Sequence, residues 1–177
     1  MFELLRELKR NKVKSYEGKK SYIEWLSSFK YEYFTTLTFK YPVSKDGAYS
    51  YLKFFLHLLN QKAVGKNYKK KAPLIGFVVL EYQWNGNPHF HLVFKKNEFA
   101  NSRYKDSICF SRLVDDCCSK VKSDSVSNYS VMYRKGVNVQ PAYEINGLIN
   151  YETKTLGPNF VNAENLSCFE GDSVDKV

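Results

Sequence analysis

Glu81–Val93 reads E-Y-Q-W-N-G-N-P-H-F-H-L-V and holds two of the three histidines in the chain. It has the composition of a hairpin, two strand-like runs with the turn chemistry gathered in Trp84–Pro88. Residues two apart on a strand point to one face, so His89 and His91 stand about 6–7 Å apart there. At that spacing their nitrogens can converge on one metal ion. Loop parity decides which first-strand residues join them. A two-residue Asn85-Gly86 turn puts Tyr82 opposite His89 and sends Glu81 to the other face. A three-residue loop, Asn85-Gly86-Asn87, puts Glu81 opposite His91 and Gln83 opposite His89. Three-residue hairpins want glycine or asparagine in the left-handed conformation, and this loop has both. The expectation is a His89–His91–Glu81 metal cluster with Gln83 as the reserve ligand. Asn-Gly is also the favoured two-residue turn, and that turn would remove Glu81. Two strand histidines without the acid would be an exposed pair, or contacts to nucleic acid without a metal.

A cluster of this kind needs a scaffold, and 177 residues are enough for one domain with extensions and a real core. A hydrophobic content of 44% with 16% aromatics excludes a disordered chain. The net charge is +9, and the last 18 residues, with four acids and one lysine, leave the first 159 at +12. A basic body with fourteen tyrosines and thirteen phenylalanines suits a polyanion, with rings available to stack on bases. Solvated lysines explain the charge equally well. The four cysteines (Cys109, Cys117, Cys118, Cys168) lack zinc-site spacing. With no secretory signal before them they read as reduced thiols in a cytoplasmic protein. No apolar run reaches membrane-spanning length, so no membrane partner is expected.

Along the chain, Met1–Val13 has helical periodicity, and Lys9–Lys20 follows with six basic residues, Arg10 and Lys12 among them. Tyr22–Phe29 suggests a short helix anchored by Trp25. Tyr33–Phe39 has strand composition, Asp46–Ala63 is a helix containing His57, and Gly65–Lys71 is a basic loop. His57 has no other ligand type nearby and reads as core or surface. Leu74–Tyr82 and His89–Lys95 are the strands of the hairpin. Ser107–Val121 is a helix with Ile108, Phe110, Leu113, Val114, Cys117 and Val121 inward. Tyr129–Arg134 is a strand that Val137–Pro141 extends past a turn at Gly136, and Ala142–Leu156 is a helix stopped by Gly157-Pro158. The expected division is a basic helical extension over 1–30, a catalytic domain over 31–159 and a flexible acidic tail over 160–177. The order of elements predicts an α+β fold, an antiparallel sheet of about five strands with flanking helices, of the ferredoxin-like split β-α-β kind.

The last helix carries Y-E-T-K at Tyr151–Lys154, a tyrosine and a lysine three apart and therefore surface neighbours. A phenol with a pKa of about 10 is a poor nucleophile at neutral pH unless a cation favours the phenolate. Taken alone, such a pair is ordinary helix surface.

In order, F-T-T-L-T-F (Phe34–Phe39), H-F-H (His89–His91) and Y-E-T-K (Tyr151–Lys154) resemble the three motifs of the HUH endonucleases, specifically the single-tyrosine rolling-circle replication initiators of plasmids and viruses. The resemblance spans about Tyr33–Pro158 and implies an HUH nuclease fold. It implies that His89, His91 and Glu81 bind Mg²⁺ or Mn²⁺. Tyr151 would be the nucleophile, and Lys154 would assist it or help position the phosphate. Thr36 and Thr38 would belong to a strand beside the site, in a role at least partly structural. Tyr143, eight residues before Tyr151 instead of four, reads as packing. The implied activity nicks and rejoins single-stranded DNA at an origin or hairpin through a 5′-phosphotyrosine. Lys66, Lys69, Lys70, Lys71, Arg10 and Lys12 would be contacts to that strand. A host polymerase would extend the freed end. With no G-x-x-x-x-G-K-[ST] motif present, a helicase would come from the host or another gene product. A homodimer is compatible with the class. The alternatives are a single-tyrosine transposase, which usually has glutamine where Lys154 stands, and a non-catalytic module that binds single-stranded nucleic acid.

Overall fold

Tyr31–Thr38 forms the first strand, β1, because its side chains alternate. Tyr33, Thr35 and Leu37 are buried while their neighbours are only half-buried. The computed structural model describes residues 23–24, 26–97, 100–123, 126–133, 138–142, 147 and 166–176. Its further strands are β2 (Ile75–Tyr82), β3 (Pro88–Lys95), β4 (Lys122–Ser123), β5 (Val126–Ser130), β6 (Asn138–Pro141), β7 (Leu166–Glu170) and β8 (Ser173–Lys176). The helices are α1 (Lys45–Ala63), α2 (Ser102–Lys105) and α3 (Ser107–Lys120).

Six strands make one antiparallel sheet in the order β6-β1-β3-β2-β7-β8, and β4-β5 stand apart as a small ribbon. Both β1 and β2 pair antiparallel with β3, so they run parallel to each other with β3 between them. The crossover that joins them is α1, which makes a split β-α-β unit. The expected α+β fold is therefore present, with six strands in the main sheet where about five were expected.

The sheet has two unlike faces. Tyr33, Leu37, Val78, Leu80, Phe90, Leu92 and Phe94 point to one of them and form the core with α1 and α3. Helix α1 meets this face through Leu52, Phe55, Leu56 and Leu59, the spacing of a single helical stripe. Ser44 caps it by accepting from the Gly47 amide at 3.2 Å. It stops at Gly65 (φ 115), where the Val64 and Gly65 amides both donate to the Asn60 carbonyl. Asp106 caps α3 by accepting from the Cys109 amide at 2.7 Å, and this bond holds its carboxyl below the usual range. The other face of the sheet carries Phe34, Thr36, Glu81, His89 and His91, brought into line by the pairings Thr36↔His91 and Glu81↔His89.

Close packing makes one glycine indispensable. A Cβ on Gly76 would lie 1.9 Å from the Val93 carbonyl oxygen and 2.6 Å from the Phe169 ring. Gly76→Ala must therefore force β2 away from its neighbours or expel the ring. The expected cost is about 3 kcal/mol, read as a lower denaturation midpoint at unchanged slope.

Several expectations need correction. Residues 166–176 are not a flexible acidic tail: Ser167, Cys168 and Phe169 are all buried, and β7 pairs with β2. Its Phe169 is fully buried and meets Phe94 edge-on at 5.2 Å. Three of the four acids that suggested a tail, Glu170, Asp172 and Asp175, are in the β7–β8 hairpin and its turn, and Glu164 lies outside the described residues. The expected strand Tyr129–Arg134 is divided: β5 ends at Ser130 in the ribbon with β4, Met132 then bridges Phe39 just past β1, and β6 carries the pairing on along β1, as the expected extension requires. Ile108 is exposed because it lies outside the stripe of Phe110, Leu113, Val114 and Cys117. The expected helices at Met1–Val13 and Ala142–Leu156, and Trp25, lie outside the described residues except Ala142 and Gly147.

Candidate metal centre

The β2–β3 turn sets the geometry of the centre. Gly86, in the left-handed region at φ 79, donates its amide to the Gln83 carbonyl, and the Gln83 amide donates to the Asn87 carbonyl, both at 2.8 Å. The loop therefore has three residues, Trp84-Asn85-Gly86, one position earlier than expected, with glycine where the conformation demands it. The Asn85 side chain closes it by accepting from the Asn87 amide at 3.0 Å. Parity is as expected, so Glu81 shares the face of the histidines. Register is not: Glu81 stands opposite His89, Val79 opposite His91, and Gln83 beside Asn87 at the mouth of the turn.

Three side chains converge on this face. His89 Nε2 and His91 Nε2 are 2.9 Å apart and lie 3.4 and 3.3 Å from Glu81 Oε2. The side chains are 15%, 8% and 13% exposed, so the group is nearly closed to solvent. Two donors held at right angles by a divalent ion with bonds of about 2.1 Å are about 3.0 Å apart. The observed triangle has that size. Two imidazoles and one carboxylate on one face also form the donor set that leaves further positions open. Glu81, His89 and His91 are thus a group that could hold a divalent cation. Mixed nitrogen and oxygen donors suit Mn²⁺ and later metals better than a pure oxygen shell would.

His91 is oriented by β1. Thr36 Oγ1 lies 3.1 Å from His91 Nδ1, and the Phe34 ring stacks on the imidazole at 5.6 Å and 10°. In the tautomer that carries its proton on Nδ1, His91 donates to Thr36 and turns the Nε2 lone pair toward Glu81 and His89. Thr36→Val keeps the β-branched shape and removes the acceptor. It is expected to weaken Mn²⁺ binding about 10–100-fold by isothermal titration, and Thr36→Ser to restore it. Sequence reasoning gave Thr36 to a neighbouring strand and did not pair it with His91. The alternating T-T-L-T was the available signal.

The lysines expected to contact a strand from the Gly65–Lys71 loop are elsewhere. Lys66, Lys69, Lys70 and Lys71 precede β2, at the far end of the sheet from Glu81, roughly 20 Å away at the rise of an extended strand. Lys69 is paired with Asp172 at 3.0 Å. Tyr68 between them is buried, and its phenol is pushed up to about 12, first by burial and then by Asp172. His57 joins this group through Tyr68 Oη and Gln61 Nε2, each at 2.8 Å, and it is a partly exposed residue with Asp172 at 3.5 Å, a carboxylate that the sequence did not place beside it. Tyr143, Tyr151, Lys154, Arg10 and Lys12 lie outside the described residues. Among the described residues no helix is long and apolar enough to cross a membrane. Comparison with protein-family models, with curated proteins and with solved structures finds no match, so the reading of this site rests on its geometry and on the motifs around it.

Proposed function

We propose that the chain is a metal-dependent endonuclease and strand transferase of the HUH type, a replication initiator that nicks and rejoins single-stranded DNA. The observation that carries this reading is the convergence of Glu81, His89 and His91 on one face, beside the strand that carries Phe34–Phe39. The order of the three motifs and the net charge of +9 support it.

In this reading Glu81 Oε2, His89 Nε2 and His91 Nε2 hold Mg²⁺ or Mn²⁺, which when bound polarises and orients the scissile phosphate. Tyr151 supplies the nucleophile. Its oxygen bonds to phosphorus, the bond from phosphorus to the 3′-oxygen breaks, and the phenol proton is passed, in net terms, to that oxygen. The products are a 5′-phosphotyrosine and a free 3′-hydroxyl. Rejoining is the reverse, with a 3′-hydroxyl displacing the tyrosine, so the phosphodiester energy is conserved and no ATP is needed. Lys154, three residues after Tyr151 in the sequence, would favour the phenolate. A host polymerase would extend the 3′-hydroxyl, and a helicase encoded elsewhere would open the duplex.

The test is covalent capture. The full chain, Mn²⁺ and an end-labelled single-stranded stem-loop oligonucleotide are expected to give a protein–DNA adduct stable to denaturation. A panel of stem-loops that the protein binds but neither cleaves nor captures would sink the nuclease and leave a binding module; cleavage without any adduct would sink the phosphotyrosine intermediate.

A further inference from the structure

Trp84 lies at the tip of the β2–β3 turn and is 105% exposed. It is three residues from Glu81 in a tight loop, where polar side chains are usual and a large ring gains nothing from the fold. It has company. Of six exposed large hydrophobic side chains among the described residues, Tyr41, Tyr82, Trp84 and Tyr133 belong to one end of the sheet. Tyr82 ends β2 opposite Pro88. Tyr41 follows β1, whose Thr38 pairs with His89, and Tyr133 donates its amide to the Thr38 carbonyl at 2.8 Å. The metal cluster lies at that same end, and the segment leaving β1 supplies Lys40 and Lys45. Exposed rings beside lysines at one end of a basic chain suit stacking on flat groups of a polyanion.

We infer that the β2–β3 turn is a stacking platform on which the Trp84 indole takes an unpaired nucleobase flanking the phosphate at the Glu81–His89–His91 centre. This rests on the proposed function insofar as the ligand is single-stranded nucleic acid. Every base has an aromatic face, so the contact tolerates sequence and contributes affinity and placement. Strand choice then comes from elsewhere. Lysines near the turn meet the phosphates on either side. The chain's net charge of +9 is complementary to such a strand.

The test compares the full-length protein with Trp84→Ala, a surface change whose fold is checked by thermal melting. An unlabelled oligothymidylate is expected to quench the fluorescence that Trp84 contributes, seen as wild type minus variant. Trp84→Ala is expected to weaken binding about 5–150-fold, the range for one base–aromatic stack, with Trp84→Phe between the two. Equal affinity of Trp84→Ala and wild type in anisotropy overturns the platform and leaves the nuclease reading intact. So does tight binding without quenching. Failure of the wild type to bind any single-stranded oligonucleotide overturns both. A blue shift on anionic phosphatidylserine vesicles, with no response to oligothymidylate, overturns the platform in favour of a membrane surface.

Discussion

Tyr151→Phe is expected to abolish covalent capture of a single-stranded oligonucleotide and to lower nicking at least about 10³-fold. The substitution removes one oxygen and keeps the ring, so packing is preserved and the loss falls on chemistry. An enzyme that used an activated water would keep cutting in this variant without ever forming an adduct. The two measurements, cleavage and adduct, therefore separate a tyrosine nucleophile from metal-assisted hydrolysis. Binding of uncleaved oligonucleotide is expected to change little, because one hydroxyl is a small part of a contact dominated by phosphates. An adduct that persists in Tyr151→Phe places the nucleophile on another of the fourteen tyrosines, and Tyr143 would be tested next. Lys154→Ala is expected to slow capture and not to end it, since in the proposed reaction it would tune the phenol without bonding to phosphorus.

His91→Ala is expected to reduce Mn²⁺ affinity at least about 100-fold and to remove metal-dependent activity with it. His91 is the most enclosed of the three ligands at 8% exposure, and it alone of them stacks on Phe34 and meets Thr36. Its loss takes a donor and leaves His89 and Glu81 with only two-point contact. The measurement is the rise in melting temperature with Mn²⁺. A ligand at 100 times its dissociation constant stabilises the native state by about 2.7 kcal/mol, and that increment is expected to vanish in the variant. Because the ring is packed, His91→Ala also lowers the metal-free melting temperature. Glu81→Gln supplies the control, since it keeps size and removes the charge. It is expected to lose most of the Mn²⁺ increment while its metal-free stability stays close to that of the wild type. An undiminished increment in both variants would place the cation elsewhere.

Much of the scaffold was legible because it is written over a few residues at a time. The stripe of α1, the alternation of β1 and the hairpin strands are patterns of period 3.6 or 2. Ile108 shows the limit of such reading, since one apolar residue near a helix start fits two stripes until the sheet chooses. The acidic C-terminal segment shows another. Composition read over eighteen residues hid a five-residue strand buried through Ser167–Phe169, and pairing with β2 outweighed the charge.

The centre divides in the same way. That His89 and His91 share a face follows from the sequence alone, because strand side chains alternate whatever else the chain does. That Glu81 joins them also follows, given an odd loop. Which histidine it faces did not, since Trp84-Asn85-Gly86 and Asn85-Gly86-Asn87 are both three-residue loops with a residue suited to the left-handed position. Only the folded sheet selects between them. The hydrogen bond between Thr36 and His91 spans 55 residues, and the alternation of T-T-L-T sets Thr36 on a face without naming its partner. It exists because β3 lies between β1 and β2, and that order is decided by burying one apolar face against α1 and α3.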